Sequence, residues 1–249
     1  MRRAVLQLEV LTKSFGALRV AEAIGLEVLA GETHAIIGPN GAGKTSLINQ
    51  ISGALLPDTG RIVFEGRDVT AMSIAARAAL GFARSFQITQ VLAHFSALEN
   101  VALAVQARSG SSFRFWRPAA GEAALNRAAL ASLDSVELAT RAHTLAGALS
   151  HGEKRRLEIA IALAQAPKLL LLDEPMAGAG IEETRSLVAT LKRLKGRYTI
   201  LLVEHDMGAV FALADRISVL VAGRIIASGE PQAVRANAAV RAAYLGEAI

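Results

Sequence analysis

Runs of apolar residues alternate with amphipathic stretches through the second half of the chain. A helical stretch over 150–166 stops before Pro167, and "KLLLL" then forms a continuous apolar run that ends in Asp173 and Glu174. "EETRSLVATLKRL" has helical spacing, "YTILLVEHD" reads as strand, a short helix follows, and "RISVLVAG" is a further strand. A strand that is apolar on both sides must be covered on both sides, so this alternation predicts a parallel sheet with helices on its faces. Up to about Phe64 the pattern is one of strands and turns. "HAIIG" is a short apolar strand running into glycines, and "GRIVFEG" is a strand between glycines. Between them "TSLINQISG" places Leu47, Ile48 and Ile51 at helical spacing and stops at Gly53. From Ala71 to Ala148 the chain is alanine-rich and predicted to be helical, with "EAALNRAALASL" the clearest helix and "ARSGSSFRFWRPAAG" a Gly/Ser/Pro-marked loop. This reads as a helical subdomain inserted into an α/β core, with no internal repeat and no long low-complexity linker.

Bulk composition narrows the classes. The 249 residues suffice for one large domain or two intimate ones. At 52% hydrophobic residues the chain is expected to fold and not to be disordered. The absence of cysteine excludes disulfides and thiolate metal sites and fits a reducing compartment. The two arginines of "MRRAVLQLEV" resemble the start of a signal peptide, but Gln7, Glu9 and Lys13 break the apolar run that must follow. The longest apolar runs fall short of the ~18–20 residues that cross a bilayer, so the chain is expected to be soluble or peripheral. The net charge of +5 comes from scattered basic residues without aromatic interleaving, and no nucleic-acid partner is expected.

The chemistry lies where strands end. "GPNGAGKTS" (Gly38, Pro39, Asn40, Gly41, Ala42, Gly43, Lys44, Thr45, Ser46) sits between a strand and a helix and matches the phosphate-binding pattern Gly-x-x-x-x-Gly-Lys-Thr/Ser. Glycines let backbone N–H groups point at a phosphate, and the helix N-terminus adds a positive dipole. Lys44 can reach the β- and γ-phosphates of a nucleoside triphosphate, and Thr45 can offer its hydroxyl to Mg²⁺. Open parallel sheets bind ligands at the carboxyl ends of their strands. That rule puts Asp173 beside the metal and Glu174 where it can polarise an attacking water. Two acids after a strand are by themselves an ordinary helix start, and the phosphate loop changes that reading. His205 ends another apolar strand and can hydrogen-bond a γ-phosphate; its neighbour Glu204 reads as structural. Gln87, where the core passes into the helical insertion, can approach Mg²⁺ and the γ-phosphate. "SHGE" is a capping box in which Ser150 accepts from the third helical amide and Glu153 reaches back. Its remaining amides and dipole also make an anion site, with Gly152 keeping that site clear of a side chain.

In the order "GPNGAGKTS", "SFQ", "LSHGEKRR", "LLLLDEP", "VEHD" the chain resembles the ATP-binding cassette (ABC) ATPases, whose Walker A loop, Q-loop, signature, Walker B strand and H-loop follow in that order. The resemblance covers about 5–247 and implies a P-loop NTPase fold: a mixed or parallel core sheet, an N-terminal antiparallel β-subdomain and an inserted helical subdomain. One ABC domain, 1–249, would divide into 1–70, 71–149 and 150–249. It also implies ATP and Mg²⁺ as cofactors and a head-to-tail dimer with a second cassette, identical or different. There Ser150, Gly152 and Glu153 would face the ATP held by the partner's Walker loop, and Phe15 matches the position that stacks on adenine. "GFARSFQ", "RRLEIAIALA", "LLVEHDM" and "AAYLG" resemble the branched-chain amino acid uptake branch, with lipopolysaccharide-export ATPases and soluble non-transport cassettes as rivals. Import implies two transmembrane permease subunits, a periplasmic or extracellular solute-binding protein, and a peripheral position on the cytoplasmic membrane face. The transported solute stays open. Two departures stand out. His151 replaces the usual glycine of the signature, and Ala179-Gly180-Ile181 replaces a leucine, an Asn or Asp, and a proline, which removes a polar side chain from the dimer interface.

Overall fold

The computed structural model describes residues 3–85, 91–108 and 123–243. Two sheets organise them. The first is antiparallel, in the order β2-β1-β4-β5, from β1 (Ala4–Phe15), β2 (Leu18–Leu29), β4 (Thr59–Phe64) and β5 (Arg67–Asp68). The second has six strands in the order β10-β9-β3-β8-β7-β6. Its members are β3 (Thr33–Ile37), β6 (Phe82–Arg84), β7 (Leu169–Asp173), β8 (Ile200–Val203), β9 (Arg216–Val221) and β10 (Arg224–Gly229). All neighbours in it run parallel except the β9–β10 hairpin. The expected α/β class with a parallel-dominated core sheet and an N-terminal antiparallel sheet is what the chain forms. Every residue of β3, β7 and β8 is buried, as continuous apolar runs require.

Helix α1 (Lys44–Ser52) lies between β3 and β4, and α2 (Ile74–Leu80) precedes β6. Helices α3 (Ala97–Arg108), α4 (Ala123–Ser135) and α5 (His151–Ala164) pack on one another around Val101, Val105, Ala129, Leu133 and Leu157. Helix α6 (Ile181–Leu194) follows β7, and α7 (Met207–Leu213) follows β8. Two short helices, α8 (Pro231–Ala236) and α9 (Ala238–Ala243), end the described chain.

One expectation needs correcting. The stretch from Ala71 to Ala148 is not helical throughout, because Phe82–Arg84 forms β6, the edge strand of the core sheet against β7. Three residues are too few for alternation to register, and the surrounding alanines mask them. Phe82 buries its ring against Phe64, with centroids 4.1 Å apart, and so ties the core sheet to the first sheet. The stretch around Trp116, expected to be a loop, lies outside the described residues.

Candidate functional site

The loop after β3 is built by close backbone approaches. A Cβ on Gly38 would stand 2.1 Å from the Leu220 carbonyl oxygen, and one on Gly43 2.2 Å from that of Val20. Gly43 also has φ +104°, so no other residue fits either place. This loop delivers Lys44 to the first position of α1, where its Nζ donates to the carbonyls of Gly38 (2.6 Å) and Pro39 (3.0 Å). The ammonium thus lies folded over the loop, and Asn40, Gly41 and Thr45 stay exposed on it. Ala42 is buried, with its N–H bonded to Pro39, and Ser46 is half-buried in the first turn of α1. The approach of Val20 places β2, and hence the β1–β2 hairpin tip, beside the loop. Phe15 closes that hairpin opposite Leu18, is 52% exposed, and has the Lys13 ammonium 5.6 Å from its ring centroid.

Strand register aligns the other groups with this loop. Ile36 pairs with Val203, and Val203 pairs with Asp173. Gly38, Glu204-His205 and Asp173-Glu174 therefore leave the sheet together at the carboxyl ends of three adjacent parallel strands. Asp173 is buried, and its Oδ2 accepts from the Arg84 guanidinium at 2.8 Å. Arg84, at the end of β6, also donates to Asn49 Oδ1 (2.7 Å) and Ser52 Oγ (3.1 Å) of α1, joining the phosphate-loop helix to the acid. Glu174 is half-buried and left-handed at φ +47°, with its N–H held by the Val203 carbonyl at 2.9 Å. Such a backbone conformation persists only where neighbours over-determine it, and it concentrates at functional sites. The His205 side chain is 60% exposed at the same edge. Beneath it Glu204 is fully buried. One oxygen accepts from Met176 N–H (2.8 Å), the other from His205 N–H (2.9 Å) and Asp206 N–H (3.2 Å), so it pins the loops after β7 and β8 together. Its reading as structural stands and gains a mechanism. Gln87 lies outside the described residues.

The capping box forms as its spacing predicts. Ser150 Oγ accepts from Glu153 N–H at 3.2 Å, and Glu153 reaches back to Ser150 N–H at 2.9 Å. Burial disfavours the Glu153 charge, but the Ser150 amide and the Arg141 guanidinium (3.2 Å) outweigh it and hold the pKa below the ordinary value. The Gly152 amide, expected to be open, already has a partner, since it donates to Glu183 Oε1 of α6 at 3.2 Å. Among the described residues the polar contacts of Ser150, Gly152 and Glu153 include one another, Arg141, Lys154, Arg156 and Glu183, and no hydrogen bond runs from them to the loop at Gly38–Ser46. Sequence pattern marks neither Arg84 nor Glu204 as functional. A lone arginine at the polar end of a three-residue strand and an acid at the end of an apolar run are the faint signals they leave.

Residues 21–177 match the family model described as ABC transporter. The chain belongs to the ABC transporter family. Residues 224–249 of this ABC chain also match the model described as branched-chain amino acid ATP-binding cassette transporter. The chain is 35% identical over 255 residues to the high-affinity branched-chain amino acid transport ATP-binding protein BraF of Pseudomonas aeruginosa, covering all of both chains. It is 35% identical over 260 residues to the corresponding protein LivG of Escherichia coli K12, again end to end. Among solved structures, the ADP conformation of MJ1267, an ATP-binding cassette of an ABC transporter, superposes with a TM-score of 0.85 at 31% identity, covering 98% of this chain and all of that one. A nucleotide-free ATP-binding cassette from an ABC transporter gives 0.84 at 30% identity, with the same coverage. This ABC chain is an ATPase cassette. None of its described helices is long and apolar enough to cross a membrane.

Proposed function

We propose that this cassette binds and hydrolyses ATP to energise import of branched-chain amino acids or a related small polar solute through separate membrane subunits. The observation that supports this reading best is the shared sheet edge: the Gly38–Ser46 loop, the Asp173-Glu174 pair and His205 leave three adjacent parallel strands together. The loop amides and Lys44, released from its own carbonyls, take the β- and γ-phosphates. Exposed Phe15 at the adjoining hairpin tip stacks on the base. Glu174 accepts a proton from the attacking water, and His205 holds the γ-phosphate oxygens. The donors suited to Mg²⁺ are the Thr45 hydroxyl and the Asp173 carboxylate, joined by Gln87. All are oxygen ligands of the kind Mg²⁺ takes, and too few to enclose it without the phosphates. No group of three His, Cys, Asp or Glu side chains that could hold a metal ion occurs among the described residues. When bound, Mg²⁺ neutralises phosphate charge.

In the head-to-tail arrangement that the family resemblance implies, the amides at the start of α5 serve the nucleotide of a second cassette, identical or different. Among the described residues no hydrogen bond of Ser150, Gly152 or Glu153 engages the chain's own phosphate loop. Two permease subunits hold the cassettes at the cytoplasmic membrane face, and a periplasmic or extracellular solute-binding protein completes the assembly. The relatives named for branched-chain amino acid transport and the match over 224–249 support the solute class. Glu174→Gln is expected to retain ATP, shift the chain toward an ATP-bound dimer, and lower phosphate release by at least about a hundredfold, as loss of a general base does. Unchanged turnover would remove Glu174 from that role. Co-purification with membrane subunits, and solute binding by their receptor, test the import assignment.

A further inference from the structure

The amide that the signature helix would offer to a partner's γ-phosphate is occupied by the chain's own carboxylate. Glu183 Oε1 accepts from Gly152 N–H at 3.2 Å, and Oε2 accepts from Gly180 N–H at 3.3 Å at the start of α6. A Cβ on Gly152 would meet Glu183 Cγ at 3.3 Å and Oε1 at 3.4 Å, so the carboxylate fills the space a glycine leaves open. We propose that Glu183 is a resident anion that must leave the signature amide before the ATP of the second cassette can dock, an autoinhibitory contact that sets how readily the dimer closes. The inference rests on the dimeric ATPase reading above.

The physical argument is exclusion. A carboxylate and a phosphate oxygen are both acceptors with negative charge, and one N–H at a helix start cannot serve both at full strength. The two states differ in what they tie together. With Glu183 in place, α5 of the helical layer is bonded to α6, whose first turn closes the segment 175–180 leading from Glu174. With phosphate in place, that bond is broken while Glu183 can still cap Gly180. Nucleotide docking in the second cassette's site thereby cuts the tie between α5 and the segment behind the Glu174 of this one, which supplies a link between sites where Ala179-Gly180-Ile181 carries no polar side chain of its own.

The test compares Glu174→Gln with Glu174→Gln/Glu183→Gln and Glu174→Gln/Glu183→Ala. Dimer is measured by light scattering on a sizing column against Mg–ATP concentration. The Gln variant keeps the shape but has one acceptor oxygen, which it can offer to Gly180 or to Gly152 and not to both, so the Gly152 bond loses its charge and part of its occupancy while α6 keeps a cap. It is expected to reach half-dimer at roughly three- to tenfold less ATP, the size of a charge-assisted hydrogen bond reduced to a neutral one. The Ala variant should shift as far or further, and ATP binding to dilute monomer should stay unchanged in all three. Hydrogen exchange at 150–157 should be faster in the ATP-free Glu183 variants than in the Glu183 parent. An unchanged or raised half-dimer concentration in both Glu183 variants, with the Glu183 parent dimerising normally, overturns the inference and leaves the ATPase reading intact. Absence of any ATP-driven association, with Glu183 present or replaced, overturns the dimer reading and this inference with it.

Discussion

Replacing Arg77 with methionine should destabilise the fold by about 3–5 kcal/mol, although Arg77 touches no phosphate and no acid of the site. Arg77 is fully buried on α2. Its Nη1 donates to the carbonyls of Gln50 (2.7 Å) and Ile51 (2.6 Å) in the last turn of α1. Its Nη2 donates to Thr70 (2.8 Å) and its Nε to Met72 (3.2 Å). A planar, charged fork thus satisfies the end of the phosphate-loop helix, where the dipole favours a cation. Four charge-assisted bonds at roughly 1.5–3 kcal/mol each would sum to about 6–12 kcal/mol. Methionine recovers part of that, because burying the guanidinium carries a desolvation penalty of several kcal/mol. Burial lowers the Arg77 pKa, with Asp68 opposing, which is that penalty at work. The Gln50 carbonyl also keeps its bond from Gly53 N–H at 3.2 Å. The difference leaves the stated loss, and a domain of this size loses about 2–4 °C of melting temperature per kcal/mol. Circular-dichroism melts of Arg77→Met should therefore fall by roughly 6–20 °C, and Arg77→Lys, with charge but no fork, should fall between wild type and Met. A drop under about 3 °C for Met would refute the view that this guanidinium holds the end of α1.

His34 sits buried on β3 with its Nε2 2.8 Å from Ser218 Oγ, and burial, helped by Arg216, lowers its pKa to about 4. The unfolded chain takes up this proton near the ordinary value of about 6.5, so the stabilising contribution is complete above about pH 6.5 and is lost as pH falls toward about 4. The full span is on the order of 3 kcal/mol. Denaturant melts between pH 7.5 and 4.5 should show this slope, and His34→Gln should flatten it; an equal slope in both chains would assign it elsewhere. Arg84→Gln strands the buried Asp173 carboxylate and should cost about 2–4 kcal/mol, less than a fully sealed pair because Arg84 keeps some exposure. Adding Asp173→Asn should recover most of that loss in nucleotide-free melts, whereas additive losses would deny the pair any coupling.

How far the sequence carries the structure depends on which rule each element obeys. β3, β7 and β8 read directly, because burial on both faces demands uninterrupted apolar runs, and every residue of all three is buried. The phosphate loop reads just as well, since its spacing is dictated by backbone contacts that only glycine permits at 38 and 43. The Ser150–Glu153 box is local chemistry four residues long, and it forms as spaced. What stays hidden is long-range. β6 is defined by its pairing with β7, 87 positions away from Phe82 to Leu169. Arg77, Arg84 and Glu204 act through partners whose proximity is a property of the fold. Charged side chains that are shielded in this way follow no periodicity, so pattern reading passes over Arg77 and Arg84 and gives Glu204 a structural place without its partners.

Those hidden residues share a logic. Arg77 and Arg84 both grip α1, one at its carboxyl end and the other at Asn49 and Ser52 with Asp173 beyond. Glu204 grips the loops after β7 and β8. Arg84 and Glu204 place charge at the carboxyl ends of the strands and Arg77 at the far end of α1, so the helix that begins at Lys44 and the loops that carry Glu174 and His205 are held by an ion pair and charged hydrogen bonds. The signature helix is supported differently. Its cap is local, and its Gly152 amide is tied to α6 by a half-buried carboxylate at 3.2 Å. A phosphate loop fixed by close backbone contacts and a signature amide held by one carboxylate suit the shared site proposed above, in which one half would hold nucleotide before the encounter and the other would give up a contact in order to join it.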